Sequence, residues 1–252
     1  MRMRFFSFLL CGILLLSFGV ARPASAMFEA FSQLREDIEA MEKSSPDNLD
    51  DILQKLEGVS GTKFTDVQSG EWFHRYVTSL TRWGIASGYK DAKGNATGKF
   101  GPGNTVTVAE ILKMALKSAQ VDETRCVGKP ALRQAESHWA RPFVLCGEQR
   151  NMRLLRSSPD LNRSALRGEV LGVIFDAFGD NVPPLYAPFT DAKNHAYESD
   201  IGYAAALKMV SGDKDASGKS TGMFRPDAPV KRGEAAKMLY ERLRVEVMEN
   251  QK

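Results

Sequence analysis

Histidine, cysteine and long apolar runs are scarce in this chain, and each scarcity removes a class of function. Only three histidines occur, His74, His138 and His195, each near the start of an expected helix and out of register with the others. No pair has ligand spacing, so no metal centre is expected. There is no G-x-S-x-G, no catalytic-cysteine context and no phosphate-cradling glycine loop before a helix. The chain is therefore read as a non-enzyme with no cofactor.

The one long apolar run is Phe5 to Val20, behind Arg2 and Arg4 and ahead of Ala24-Ser25-Ala26. That order is a secretory leader cut after Ala26, and the run is short for a membrane span. Leu10 is too large to make Cys11 a lipoprotein cysteine. The leader holds three arginines and no acid, so the remaining chain of about 226 residues balances 31 basic against 31 acidic side chains. It has no net basic field for nucleic acid and no later transmembrane segment. Cys126 and Cys146 survive cleavage. In an exported protein such a pair reads as a disulfide closing a loop worth roughly 3 kcal/mol, with two buried thiols as the alternative.

What the chain does have is a repeat. Gly88 to Pro102 and Gly212 to Pro226 are identical at nine of fifteen positions at a constant offset of 124. Phe64-Thr65-Asp66 opens the first copy and Phe189-Thr190-Asp191 the last. In each, an amphipathic helix, a glycine-rich loop and a second helix follow. Trp72, Tyr76, Leu80 and Trp83 mark the first helix of the first copy. Ile111, Leu112, Ala115 and Ala119 mark its second helix, and Ala235, Met238, Leu239 and Leu243 mark that of the last copy. The offset leaves room for a degenerate middle copy, with Trp139 and Phe143 matching Trp72 and Tyr76, and a second helix carrying Val170, Val173, Ile174 and Ala177. It lacks the F-x-P loop. The expected units are a leader at 1–26, an amphipathic helical segment at 27–60, and repeats at 61–120, 121–181 and 182–252. The helical segment either docks on the repeats, the preferred reading, or holds a protein partner.

The second helices open with Thr107-Val108-Ala109-Glu110, Leu166-Arg167-Gly168-Glu169 and Lys231-Arg232-Gly233-Glu234. Thr107 and Glu110 form a capping box, and Glu169 and Glu234 suit the same structural role. Arg167 and Arg232 oppose the helix dipole. Beside exposed backbone N–H groups they would make an anion site for a carboxylate or phosphate, or else pair with an acid of a neighbouring repeat. The loop Asp91 to Gly98 resembles a calcium loop but lacks the ligands at its third and twelfth positions.

F-T-D-V, the aromatic first helix, G-I-A-S-G, the F-x-P loop and the T-V-A-E or K-R-G-E helix start resemble S-layer homology repeats. The resemblance implies a mainly α fold: three helix-loop-helix repeats with approximate threefold symmetry around a central helical bundle. It also implies an exported protein at the cell surface or in the S-layer, held noncovalently by secondary cell-wall polysaccharide that often carries ketal-linked pyruvate. The family's arginine in its T-R-A-E motif contacts that ligand. By position Arg167 and Arg232, with Lys231 beside them, inherit the role, and Val108 does not. Trp72 and Trp139 could stack on a sugar face, although core packing is the preferred use. An envelope assembly protein that binds another protein through its helices is the alternative.

Overall fold

The computed structural model describes residues 64–249. The expected leader at 1–26 and the helical segment at 27–60, with its docking or partner role, lie outside the described residues. Among the described residues six α-helices follow one another: α1 (His74–Arg82), α2 (Val108–Ser118), α3 (Arg141–Gln149), α4 (Arg167–Phe178), α5 (Glu198–Ala206) and α6 (Arg232–Glu249). Pairing between extended segments, among the described residues, is confined to isolated bridges. The protein is mainly α, as expected.

The apolar spacing of the second helices does what it promised. Ile111, Leu112 and Ala115 of α2, Val170, Val173, Ile174 and Ala177 of α4, and Ala235, Met238, Leu239 and Leu243 of α6 are all buried. These three helices touch one another pairwise and form the centre. Burial of α2 on nearly every side follows from that place. The first helices lie outside and each packs on the second helix of a different segment: α1 on α6, α3 on α2, α5 on α4. Tyr76 of α1 meets Tyr240 of α6 edge-on, with ring centroids 5.2 Å apart.

A ring of backbone hydrogen bonds joins the strips that precede the central helices. Val106 N–H donates to Val230 O (2.8 Å), Val230 N–H to Ala165 O (3.1 Å), and Ala165 N–H to Val106 O (2.9 Å). The contacts run first to last, last to middle, middle to first, and close. All three residues are fully buried, so each pair satisfies backbone groups that would otherwise lack water.

The fifteen-residue repeat folds as a protruding hairpin. Asp91 accepts the N–H groups of Lys93 (2.8 Å) and Asn95 (2.9 Å), and Asp215 accepts those of Ser217 (2.9 Å) and Lys219 (3.0 Å). Gly94 and Gly218 take the left-handed turn at φ 85 and φ 82. Behind each hairpin a phenylalanine, Phe100 or Phe224, is fully buried, contributing roughly 2–3 kcal/mol. Asp66 holds the first loop by accepting from Phe100 N–H and Gly101 N–H, both at 2.8 Å. Asp191 holds the last through Phe224 N–H (2.8 Å) and Arg225 N–H (2.7 Å).

The middle segment replaces the hairpin with a short 3-10 turn, Arg153–Ser157. Gln134 takes the place of the loop-holding aspartate, accepting from Leu161 N–H (3.1 Å) and donating to Pro159 O (2.6 Å). Cys126 and Cys146 are bridged, with Cα atoms 5.0 Å apart, tying the 3-10 turn Glu123–Arg125 to α3. Arg153 then bonds Asp176 of its own segment (2.9 Å) and reaches across to the buried Asp200 of the last (2.6 Å).

Candidate functional site

The opening turn of each central helix is where segments meet. An α-helix leaves its first N–H groups without intrahelical partners. Here the first two of each helix are taken by loop carbonyls of a neighbouring segment. Val108 and Ala109 donate to Arg163 O and Leu161 O (both 3.0 Å). Arg167 and Gly168 donate to Ala228 O (2.9 Å) and Pro226 O (2.8 Å). Arg232 and Gly233 donate to Asn104 O (2.8 Å) and Pro102 O (3.0 Å). The expectation that exposed N–H groups would form half of an anion site is corrected: at these positions they serve the junctions.

The three glutamates sit as capping residues. Glu110 accepts from Thr107 N–H (2.9 Å), Glu169 from Leu166 N–H (2.9 Å) and Glu234 from Lys231 N–H (3.0 Å). Thr107 Oγ1 accepts in return from Glu110 N–H, completing the capping box. The second carboxylate oxygen of each meets an arginine, and the three junctions differ in which arginine it is.

At the junction of the last and first segments, Arg232 is engaged on every side. Its Nε donates to Phe100 O (2.9 Å), its Nη2 to Ser87 O (3.1 Å), and its Nη1 pairs with Glu110 at 2.8 Å. The rings of Phe100 and Tyr89 both lie 4.6 Å from its guanidinium carbon. It is 4% exposed. Arg232, expected to contact a ligand, is instead the buried pair with a neighbouring segment's acid. The adjacent Lys231 is exposed.

At the junction of the middle and last segments, Arg167 is less committed. Its guanidinium lies over the Phe224 ring at 4.7 Å and pairs with Glu234 only at 3.5 Å. Its buried Nε has no hydrogen-bond partner among the described residues. Burial pulls its pKa below the ordinary arginine value, with Glu234 and Asp213 opposing the shift. The first segment's Tyr89 has no aromatic equivalent here, because Asp213 stands in its place.

At the junction of the first and middle segments, Val108 supplies no cation. Arg163 fills the gap from within the middle segment, donating from Nη1 (2.8 Å) and Nη2 (2.6 Å) to Glu169. Arg163 was not singled out from sequence, since it lies outside the four-residue helix start.

Trp72 and Trp139 are both 54% exposed. The preference for core packing is corrected: Trp72 leans on Phe73 and Tyr76, Trp139 leans on His138 and Phe143, and both remain half exposed. Neither is brought to the Arg167 junction, where Ala196 holds the matching place. The histidines also need correction. His138 and His195 are equivalent: each Nδ1 accepts a backbone N–H, from Ala140 or Tyr197 (both 3.1 Å). Each Nε2–H then donates, to Asn162 (3.1 Å) or Asp227 (3.2 Å).

Comparison with known families places this geometry. The model of the S-layer homology domain matches the chain at residues 63–111 and again at 188–236. No curated protein matches the chain. S-layer homology domains generally anchor proteins to the cell envelope and bind cell-wall polymers, and such a domain implies a cell-surface or envelope-associated protein. No helix of the described residues is long and apolar enough to cross a membrane.

Proposed function

We propose that the protein is exported by its leader and anchors itself noncovalently to an anionic cell-wall polysaccharide, with Arg167 as the principal contact. One observation carries this reading: Arg167 holds a buried Nε–H with no partner among the described residues, beside a long ion pair, whereas the matching Arg232 is bonded on every side. A half-satisfied arginine keeps donors for a carboxylate or phosphate, and an arginine–carboxylate pair adds directional strength. Pyruvate ketals on the polymer would supply such carboxylates. Trp72 and Trp139 offer half-exposed faces on which sugar rings could stack. Binding, not turnover, is the assigned activity.

The middle segment is proposed to be a divergent third copy. Its support is the equivalence of contacts: α4 opens with the same capping glutamate, gives its first N–H groups to the next loop, and joins the same backbone ring.

The test is co-sedimentation of the exported chain with wall sacculi before and after chemical removal of the polysaccharide. Wild type should pellet only with unstripped sacculi, and Arg167→Ala should remain in solution. Equal pelleting with stripped sacculi would replace this reading with attachment to an envelope protein.

A further inference from the structure

The Arg167 junction holds a second arginine that this reading leaves unused. Arg225 adopts φ 61, in the left-handed region, where the first segment has Gly101 at φ 72. Glycine takes that conformation freely, whereas a side chain there costs on the order of 1 kcal/mol or more. The last segment thus carries a strain that its own sister copy avoids.

The strain secures a placement. Arg225 follows directly on Phe224, whose ring carries the Arg167 guanidinium. Its backbone N–H is fixed on Asp191 at 2.7 Å. Its guanidinium engages Asp213 through Nε and through Nη2, the latter at 2.9 Å, and its side chain is 58% exposed. In the first segment the position of Asp213 is Tyr89, whose ring covers Arg232. The two exchanges act together. One replaces an aromatic cover over the buried arginine with a carboxylate, and the other adds a half-exposed cation beside it. Asp213 and Arg225 both lie near enough to Arg167 to act on its charge, in opposite directions.

We propose that Arg225 is a second ligand-binding arginine of the Arg167 junction, and that the Asp213 carboxylate is an internal stand-in displaced by an anionic group of the polymer. This rests on the reading of the Arg167 junction as the polymer site. Asp213 already presents to Arg225 the two-oxygen geometry that a carboxylate or phosphate ligand offers. An incoming anion takes over Arg225 and places its charge beside Arg167, and Asp213 turns to water. Exposed ion pairs contribute little, so the exchange costs little.

The experiment measures co-sedimentation with wall sacculi, and thermal melting, for the exported wild-type chain, Arg167→Ala, Arg225→Gly and Asp213→Asn. Arg225→Gly should bind about tenfold more weakly yet melt higher, because the left-handed strain is gone. Asp213→Asn should bind several-fold more tightly, because its internal competitor has lost its charge. Sodium pyruvate and inorganic phosphate, added separately at matched ionic strength, identify the anion. Competition by either that weakens in Arg225→Gly supports the proposal, and competition by neither overturns it. Loss of binding in Arg167→Ala, with Arg225→Gly and Asp213→Asn both binding as wild type, overturns this proposal and leaves the polysaccharide reading intact. Wild type that does not pellet with unstripped sacculi overturns both.

Discussion

Arg232 and Glu110 meet at 2.8 Å and join the start of the last central helix to the start of the first. Through this pair, and through α1 lying on α6, the beginning of the described chain is fastened to its end. Removing one partner strands the other. Arg232→Ala should cost about 3 kcal/mol, because the Glu110 carboxylate and two backbone carbonyls lose their donor in a buried place. Lysine should not rescue it, having a point charge where a planar fork spans three acceptors. Urea unfolding checks this; an unchanged midpoint would show that the pair is dispensable.

Arg167 should behave in the opposite way. Its charge is largely buried, its ion pair is long and its Nε is unpaired. Arg167→Met keeps the apolar contact with Phe224 and removes the desolvation cost, so stability should rise by about 1 kcal/mol, or roughly 2–4 °C in Tm. A fall in Tm of similar size would mean that Arg167 holds the junction together as Arg232 does.

The contrast between these arginines shows where sequence reading reached and where it stopped. The helices, the capping box at Thr107 and Glu110, and the buried faces of α2, α4 and α6 were legible because each depends on residues within a few positions of one another. The division of labour between Arg167 and Arg232 was not. It depends on whether Tyr89 or Asp213 lies across the junction, which only the fold decides. Gln134 and Arg163 were hidden for the same reason: Gln134 does the work of an aspartate in the sister segments, and Arg163 does the work of an arginine that they place at the helix start. His138 and His195 could have been matched by placing Leu132 under Phe189, but the shortened middle loop disguised that register.

The middle segment lacks the hairpin that braces the other two, and its disulfide should carry a matching share of stability. The bridge spans a separation of 20 residues. Cutting a loop of that size should cost roughly 3 kcal/mol. Limited proteolysis with and without a thiol reductant should show new cleavage between Val127 and Ala131, while the hairpins at Asp91 and Asp215 keep their protection. Unchanged protection after confirmed reduction would show that Glu148, which accepts from Ala131 N–H (3.0 Å) and Leu132 N–H (2.9 Å), suffices to hold the loop.

The hairpins themselves should respond to acid. Side-chain and backbone donors of Ser217 and the N–H of Lys219 hold the Asp215 carboxylate below its ordinary range, and the N–H of Asn95 is the largest influence doing the same to Asp91. A depressed carboxylate stabilises the fold above its unfolded pKa of about 3.9, and that contribution disappears as pH falls through the lower folded value. Both hairpins should therefore hold at neutral pH and loosen only below pH about 4. Amide exchange at Ser217 and Lys219 follows the change directly. Asp215→Asn keeps an oxygen acceptor but no titrating charge, so the last hairpin should lose its acid transition while the first, on Asp91, retains it. A transition of the same midpoint in both hairpins of that variant would place the acid sensitivity elsewhere in the fold.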